Sequence, residues 1–149
     1  MRRDIYTRLV YGRNSSLLGR LSYYLLKLTG VELPISVKVG KELELAHGGF
    51  GVVIHSSTII GDKVKIYPGV VIGRADIYRP MELSEFKGVI VEDGAILCPG
   101  AKVLCKEGIL TVGKNSVVGA NAVLLQSTGY GEIWGGVPAR FIKRRDETS

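Results

Sequence analysis

The chain is poor in the side chains that most often carry catalysis or metals in a small protein. It has two cysteines, Cys98 and Cys105, and two histidines, His47 and His55, in 149 residues. The cysteine spacing fits neither a redox nor a zinc motif, so a reducing compartment is expected. Two histidines without a companion ligand set do not make a trihistidine zinc site, and no metal is expected. Long apolar runs are missing as well. Asp4 and Arg8 interrupt the stretch behind Met-Arg-Arg, so neither a signal peptide nor a membrane span is read and a cytoplasmic protein is expected. No motif of a nucleic-acid reader is present, and the tyrosines near the first basic cluster form no stacking platform. Nucleic acid is therefore not an expected partner.

What the chain does have is glycine, 20 in all, in a composition of 46% apolar and 23% charged residues. That is one globular domain by length and composition, with turns favoured over helices. The net charge is +6, and the positives crowd the two ends, from Arg2, Arg3, Arg8, Arg13, Arg20 and Lys27 to Arg140, Lys143, Arg144 and Arg145. An anionic ligand or surface is implied, and a phosphorylated cofactor fits.

Residues 1–30 read as an N-terminal helical segment. Leu17, Leu21, Tyr24, Leu25 and Leu28 recur at helical spacing after the caps Asn14 and Ser15 and before Gly30. The spacing predicts one amphipathic helix over 15–29, too short to span a bilayer, whose apolar face packs on the rest of the chain or on another subunit. Membrane-surface contact through its arginines is the lesser alternative.

Residues 31–134 carry a different period. Aliphatic residues at Val39, Leu45, Ile54, Ile60, Ile66, Ile72, Val91, Leu97, Val103, Val112, Val118 and Leu124 are separated by six residues in eight of eleven steps. Six belongs to neither an α-helix nor a flat strand and points to a parallel β-helix, one hexad per side of the coil. Four places after each aliphatic stands Leu43, Thr58, Val64, Val70, Ala95, Ala101, Ser116 or Ala122, small or β-branched in all but one case, as a narrow corner requires. Glycine directly after the aliphatic, at Gly40, Gly61, Gly73, Gly113 and Gly119, is expected where the backbone turns. Twelve hexads at three per coil make about four coils with apolar sides, so an oligomer is expected.

The ladder breaks after Leu45, after Val103 and, by nineteen residues, after Ile72, leaving Arg74 to Gly88 to bulge out as an extruded loop. Loops on a rigid scaffold are where chemistry is usually placed. The first break reads Leu45-Ala-His47-Gly-Gly-Phe-Gly51. A histidine beside glycines can meet a ligand closely and take a proton near neutral pH, while a turn histidine bonding its own loop stays open as the alternative. His55 reads as a surface or interface side chain. In the C-terminal basic segment, 135–149, Arg140 can clamp phosphate bidentately and Lys143 can act as a point charge.

The ladder, His47-Gly-Gly-Phe-Gly51 and the terminal Gly136-Val-Pro-Ala-Arg140 together resemble the hexapeptide-repeat acyltransferases, in their serine acetyltransferase-like branch, from about Val31 to Arg145. The resemblance implies an all-β, left-handed parallel β-helix, usually a homotrimer, with acetyl-CoA in a groove between subunits. It places the catalytic base on His47 and its carboxylate partner on Glu32. It assigns the CoA groove to Pro99, Gly100, Ala101, Gly119, Ala120, Arg140 and Lys143. The serine enzymes carry Asp before the base and an Asp-Arg-His-Pro run in the loop; here stand Ala46 and a loop without histidine. The expectation is therefore an acetyl-CoA-dependent O-acetyltransferase acting on a sugar or polysaccharide hydroxyl. Arg74, Asp76, Tyr78 and Arg79 are the acceptor-side candidates. Serine O-acetylation in cysteine biosynthesis and a non-catalytic trimeric scaffold are the alternatives.

Overall fold

Short strands, each ended by a turn, stack into three sheets in a computed structural model that describes residues 5–145. The first face holds β1 (Lys38–Val39), β4 (Thr58–Ile60), β7 (Phe86–Val91) and β10 (Gly108–Val112). The second holds β2 (Glu44–Leu45), β5 (Lys65–Ile66), β8 (Ile96–Leu97) and β11 (Val117–Val118), and the third β3 (Val53–Ile54), β6 (Val71–Arg74), β9 (Lys102–Cys105) and β12 (Val123–Leu124). The chain visits the faces in that order four times, every pairing between coils is parallel, and Ile60 lies on Val39 and under Val91. This is the parallel β-helix of four coils that the period of six predicts.

Of the twelve ladder residues all but Val39 are buried, and Val39 is partly buried against the same cluster. All eight corner residues are buried, Leu43 included. The expected role of the glycines is corrected. In the regular hexads positive φ recurs three places after the aliphatic, at Glu42, Lys63, Gly69, Gly94, Gly100, Asn115 and Asn121, and none of the five glycines directly after it has one. Most of those five serve close stacking instead. A Cβ on Gly61 would lie 2.5 Å from Asp93 Oδ1, and one on Gly113 2.4 Å from the Gly129 carbonyl.

The N-terminal segment forms two helices, α1 (Ile5–Gly12) and α2 (Gly19–Leu28), where one was expected. Residues 15–18 make a turn closed by the Gly19 amide on the Ser15 carbonyl, and Gly30, at φ +84°, ends α2 as predicted. Arg13, buried between the helices, donates from Nε to the Val10 carbonyl and from Nη1 to the Leu33 and Pro34 carbonyls, which ties the hairpin to the chain entering the coil. Burial pushes its guanidinium down to about 10.

The predicted apolar face of α2 does not pack on the chain. Gly19, Ser22 and Leu26 are the buried residues, because small side chains let the helix approach closely, while Leu17, Leu21, Tyr24, Leu25 and Leu28 face outward. The extruded loop is also shorter than expected. Strand β6 continues through Arg74 and β7 resumes at Phe86, leaving 75–85 outside the coil. After the fourth coil, β13 (Glu132–Gly136) adds to the second face and β14 (Ala139–Arg144) returns antiparallel to it, so β13 runs across the expected boundary at residues 134 and 135. No helix among the described residues is long and apolar enough to cross a membrane.

Candidate functional site

The edge between the second and third faces is built from Tyr67-Pro68-Gly69, Cys98-Pro99-Gly100 and Gly119-Ala120-Asn121. Each turn donates to the coil below, Gly69 N to the Phe50 carbonyl, Gly100 N to Pro68 and Asn121 N to Pro99, all at 2.9 Å. Phe50 and Gly51 are thus the first-coil members of this column, and the turn Ala46–Gly49 ahead of them is extra chain inserted at the edge, with Ala46, Gly48 and Gly49 buried and His47 exposed. His47 sits there at φ 52°, ψ 31°, followed by Gly48 at φ 77° and Gly49 at φ 65°. A left-handed non-glycine residue costs on the order of 1–2 kcal/mol and persists only where its surroundings impose it. The surroundings here are tight: a Cβ on Gly48 would lie 2.6 Å from Tyr6 Cζ, and one on Gly49 3.2 Å from Leu45. The His47 side chain is exposed, its ring 6.4 Å from that of Tyr67, and among the described residues no side chain hydrogen-bonds the imidazole.

Pro99, Gly100, Gly119 and Ala120 lie on this same edge, above His47. Ala101 is fully buried, so its methyl belongs to the core and only its backbone borders the edge. The Lys102 ammonium donates to the carbonyls of Gly69 (2.8 Å) and Gly100 (2.6 Å), placing a cation beside the stacked turns. Gly119 donates to the Trp134 carbonyl, and Gly135 above it pairs with Arg140, so Arg140 ends at the top of this edge. Lys143 pairs with Ile133, two residues back along β13 and roughly 7 Å from the edge. The register shift in the ribbon puts Arg140 and Lys143 opposite Gly135 and Ile133, and hence on one side of it. From β2 to β14 the second face steps through five strand spacings, about 24 Å.

The Glu32 carboxylate has other partners than the one the resemblance assigns to it. The Glu32 backbone extends the third face below β3, bonding Val52 and Ile54. Its carboxylate accepts from the Tyr23 hydroxyl at 2.6 Å and pairs with the Lys27 ammonium at 2.9 Å. The Tyr23 hydrogen bond, then Lys27, hold it below the usual carboxylate range. The carboxylate is engaged by α2, and the expected Glu32–His47 pair does not form.

The extruded loop leaves from the edge between the third and first faces, one face away from His47 and about 15 Å across a five-residue side. Of the four acceptor-side candidates, two are taken up internally. Arg74 Nε lies 3.1 Å from Asp76 Oδ1 in a nearly buried ion pair, and its Nη2 donates to the carbonyls of Asp76 and Arg79. Nη1 of Arg74 also contacts Met81 Sδ, and Ser84 Oγ donates to Asp76 Oδ2 at 2.8 Å. Arg74 and Asp76 therefore staple the loop, while Tyr78 and Arg79 are exposed on it. His55 packs at the loop's base, edge-on to Phe86 at 4.8 Å, with Nδ1 accepting from the Ser57 amide. Burial, then the charge of Arg74, push its imidazole down.

Three residues at the edge escaped the sequence reading. Tyr67 stands directly after a ladder residue, where five of the other hexads have glycine, and that departure was a usable signal. Lys102 and Tyr6 left none: their roles depend on carbonyls and a glycine brought together only by folding. No group of three or more His, Cys, Asp or Glu among the described residues could hold a metal.

The chain is 35% identical over 116 residues to the serine acetyltransferase of Staphylococcus aureus (strain Mu50 / ATCC 700699), covering 78% of this chain and 50% of the relative. The Staphylococcus xylosus serine acetyltransferase is 32% identical over 136 residues, 91% of this chain and 59% of that one. Among solved structures, the serine acetyltransferase of Brucella abortus strain S19 in complex with coenzyme A superposes with a TM-score of 0.72 at 25% identity, over 95% of this chain and 52% of that chain. No family model matches the sequence. The chain spans about half the length of the curated relatives it matches. In sequence and coil the chain is thus similar to the hexapeptide-repeat acyltransferases of the serine acetyltransferase type, and its β-helix is left-handed.

Proposed function

We propose that the chain transfers an acetyl group from acetyl-CoA to a hydroxyl at the edge that begins at His47 and ends at Arg140. One observation carries the reading: an exposed histidine held in a left-handed turn lies at one end of a column of small, stacked turns, and cations stand along and above that column. The edge suits a long thioester with a phosphate-bearing end. Arg140, with Lys143 beside it, meets phosphates, and the glycine and proline turns let the thin arm lie close to backbone. Bound there, acetyl-CoA supplies the acyl carbon.

His47 takes the proton of the attacking hydroxyl and returns it to the departing thiol, so proton and acyl group both balance. The Glu32 carboxylate stays bound to Tyr23 and Lys27 of α2 in this reading, and His47 works without it. The loop edge lies a whole face away, so Tyr78 and Arg79 reach an acceptor at His47 from a neighbouring subunit. Exposed apolar residues on the faces, Val53, Ile59 and Ile109, support burial of those sides in a homotrimer.

Serine is the acceptor that the named relatives favour. A sugar hydroxyl is the second reading, favoured by Ala46 where the serine enzymes carry Asp and by a loop whose Arg74 and Asp76 bind each other. Thiol release from acetyl-CoA, measured with serine and with a panel of sugars, separates the two. Stimulation by serine alone supports the first and by a sugar alone the second. A chain that binds no CoA thioester by calorimetry is a scaffold, and the proposal fails.

A further inference from the structure

We infer that α2 carries a docking surface for anionic phospholipid membranes. Gly19, Ser22 and Leu26 turn toward the body of the protein. On the opposite side stand Leu21, Tyr24, Leu25 and Leu28, with Leu17 and Leu18 just ahead of the helix. Leu17 is 90% exposed and Leu28 83% exposed, and Tyr24 and Leu21 are more than half exposed. A continuous leucine stripe directed away from its own core has no intramolecular role.

The charge around the stripe selects its occupant. From Ile5 to Val31 the chain contains no Asp or Glu, while Arg8, Arg20 and Lys27 are exposed there. Glu32, just beyond, pairs with Lys27 and leaves Arg8 and Arg20 to set the sign. A second copy of the chain would bring the same basic surface against itself with no carboxylate in the segment to offset it. An anionic lipid surface matches both parts: leucines enter the acyl boundary, the arginines meet phosphate headgroups, and Tyr24 keeps its hydroxyl at the interface. At ten residues α2 lies in the interface and does not cross it.

The test is sedimentation of the whole chain with vesicles of mixed phosphatidylglycerol and phosphatidylcholine, against phosphatidylcholine alone, with light scattering to follow the oligomer. Binding at least about tenfold stronger to the anionic vesicles and weakened by salt is expected. The variant L17Q/L21Q/L28Q, altered only at exposed positions, is expected to lose that binding while keeping the wild-type unfolding curve. Absence of binding to anionic vesicles, or equal binding by the variant, overturns the proposal. A smaller oligomer in the variant without any lipid binding by the wild type does so too, and assigns the stripe to a second copy.

Discussion

Gly48→Ala is the substitution whose consequences can be worked out most fully from the geometry. The backbone there is left-handed, φ +77°, and an added Cβ would lie 2.6 Å from Cζ and 2.9 Å from Oη of Tyr6. Alanine in that conformation costs about 1–2 kcal/mol. Displacing the tyrosine ring, which packs against the core cluster, adds about 1–3 kcal/mol as overpacking. Urea denaturation should therefore show a loss of about 2–5 kcal/mol, and turnover should fall because His47 shares the turn. The two contributions separate in a double-mutant cycle. With Tyr6→Ala the collision is gone, so adding Gly48→Ala should then cost only the backbone part, with about 1–3 kcal/mol of coupling. A Gly48→Ala protein within about 0.5 kcal/mol of wild type, or a cycle without coupling, would refute the reasoning.

Asp76→Ala leaves the nearly buried Arg74 without its carboxylate and should destabilise the loop by about 3–5 kcal/mol, read as faster amide exchange across 75–85 with the coil amides unchanged. Arg140→Ala should raise the KM for acetyl-CoA with a smaller effect on kcat, and an unchanged KM would remove Arg140 from the CoA end of the edge. His55, held below its ordinary value of 6.5 mainly by burial, takes its proton more readily in the unfolded chain. Its contribution to stability is complete above 6.5 and is lost as pH falls through the folded-state value. His55→Gln should flatten that part of the stability profile, and an NMR midpoint for His55 above 6.5 would contradict the assignment.

The coil was legible because a buried aliphatic every six residues is a local rule repeated many times, and the corner residues obey it at a second offset. The meaning of the glycines was not, since one chain position can be glycine for its φ or for what stacks against it, and only the neighbouring coil decides. The leucines of α2 gave the helix period correctly, but the face that this chain itself buries is the opposite one, at Gly19, Ser22 and Leu26. A period marks a face without saying what covers it, and Gly19 and Ser22 are too small to register as a core pattern. At the candidate site, His47 stood out by its insertion among glycines. The fate of Glu32 depended on Tyr23, nine residues away and brought near by the helix C-terminus. Arg74 and Asp76 are two residues apart, and nothing in that spacing says that they bind each other instead of a ligand.

If acetyl transfer occurs at the left-handed turn that carries His47, replacing that side chain must abolish it. Turnover of acetyl-CoA by His47→Ala, with the CoA dissociation constant measured on the same preparation, tests this most directly. A fall of about 100-fold or more in thiol release with CoA affinity unchanged is expected; thiol release at the wild-type rate would contradict a catalytic role for His47.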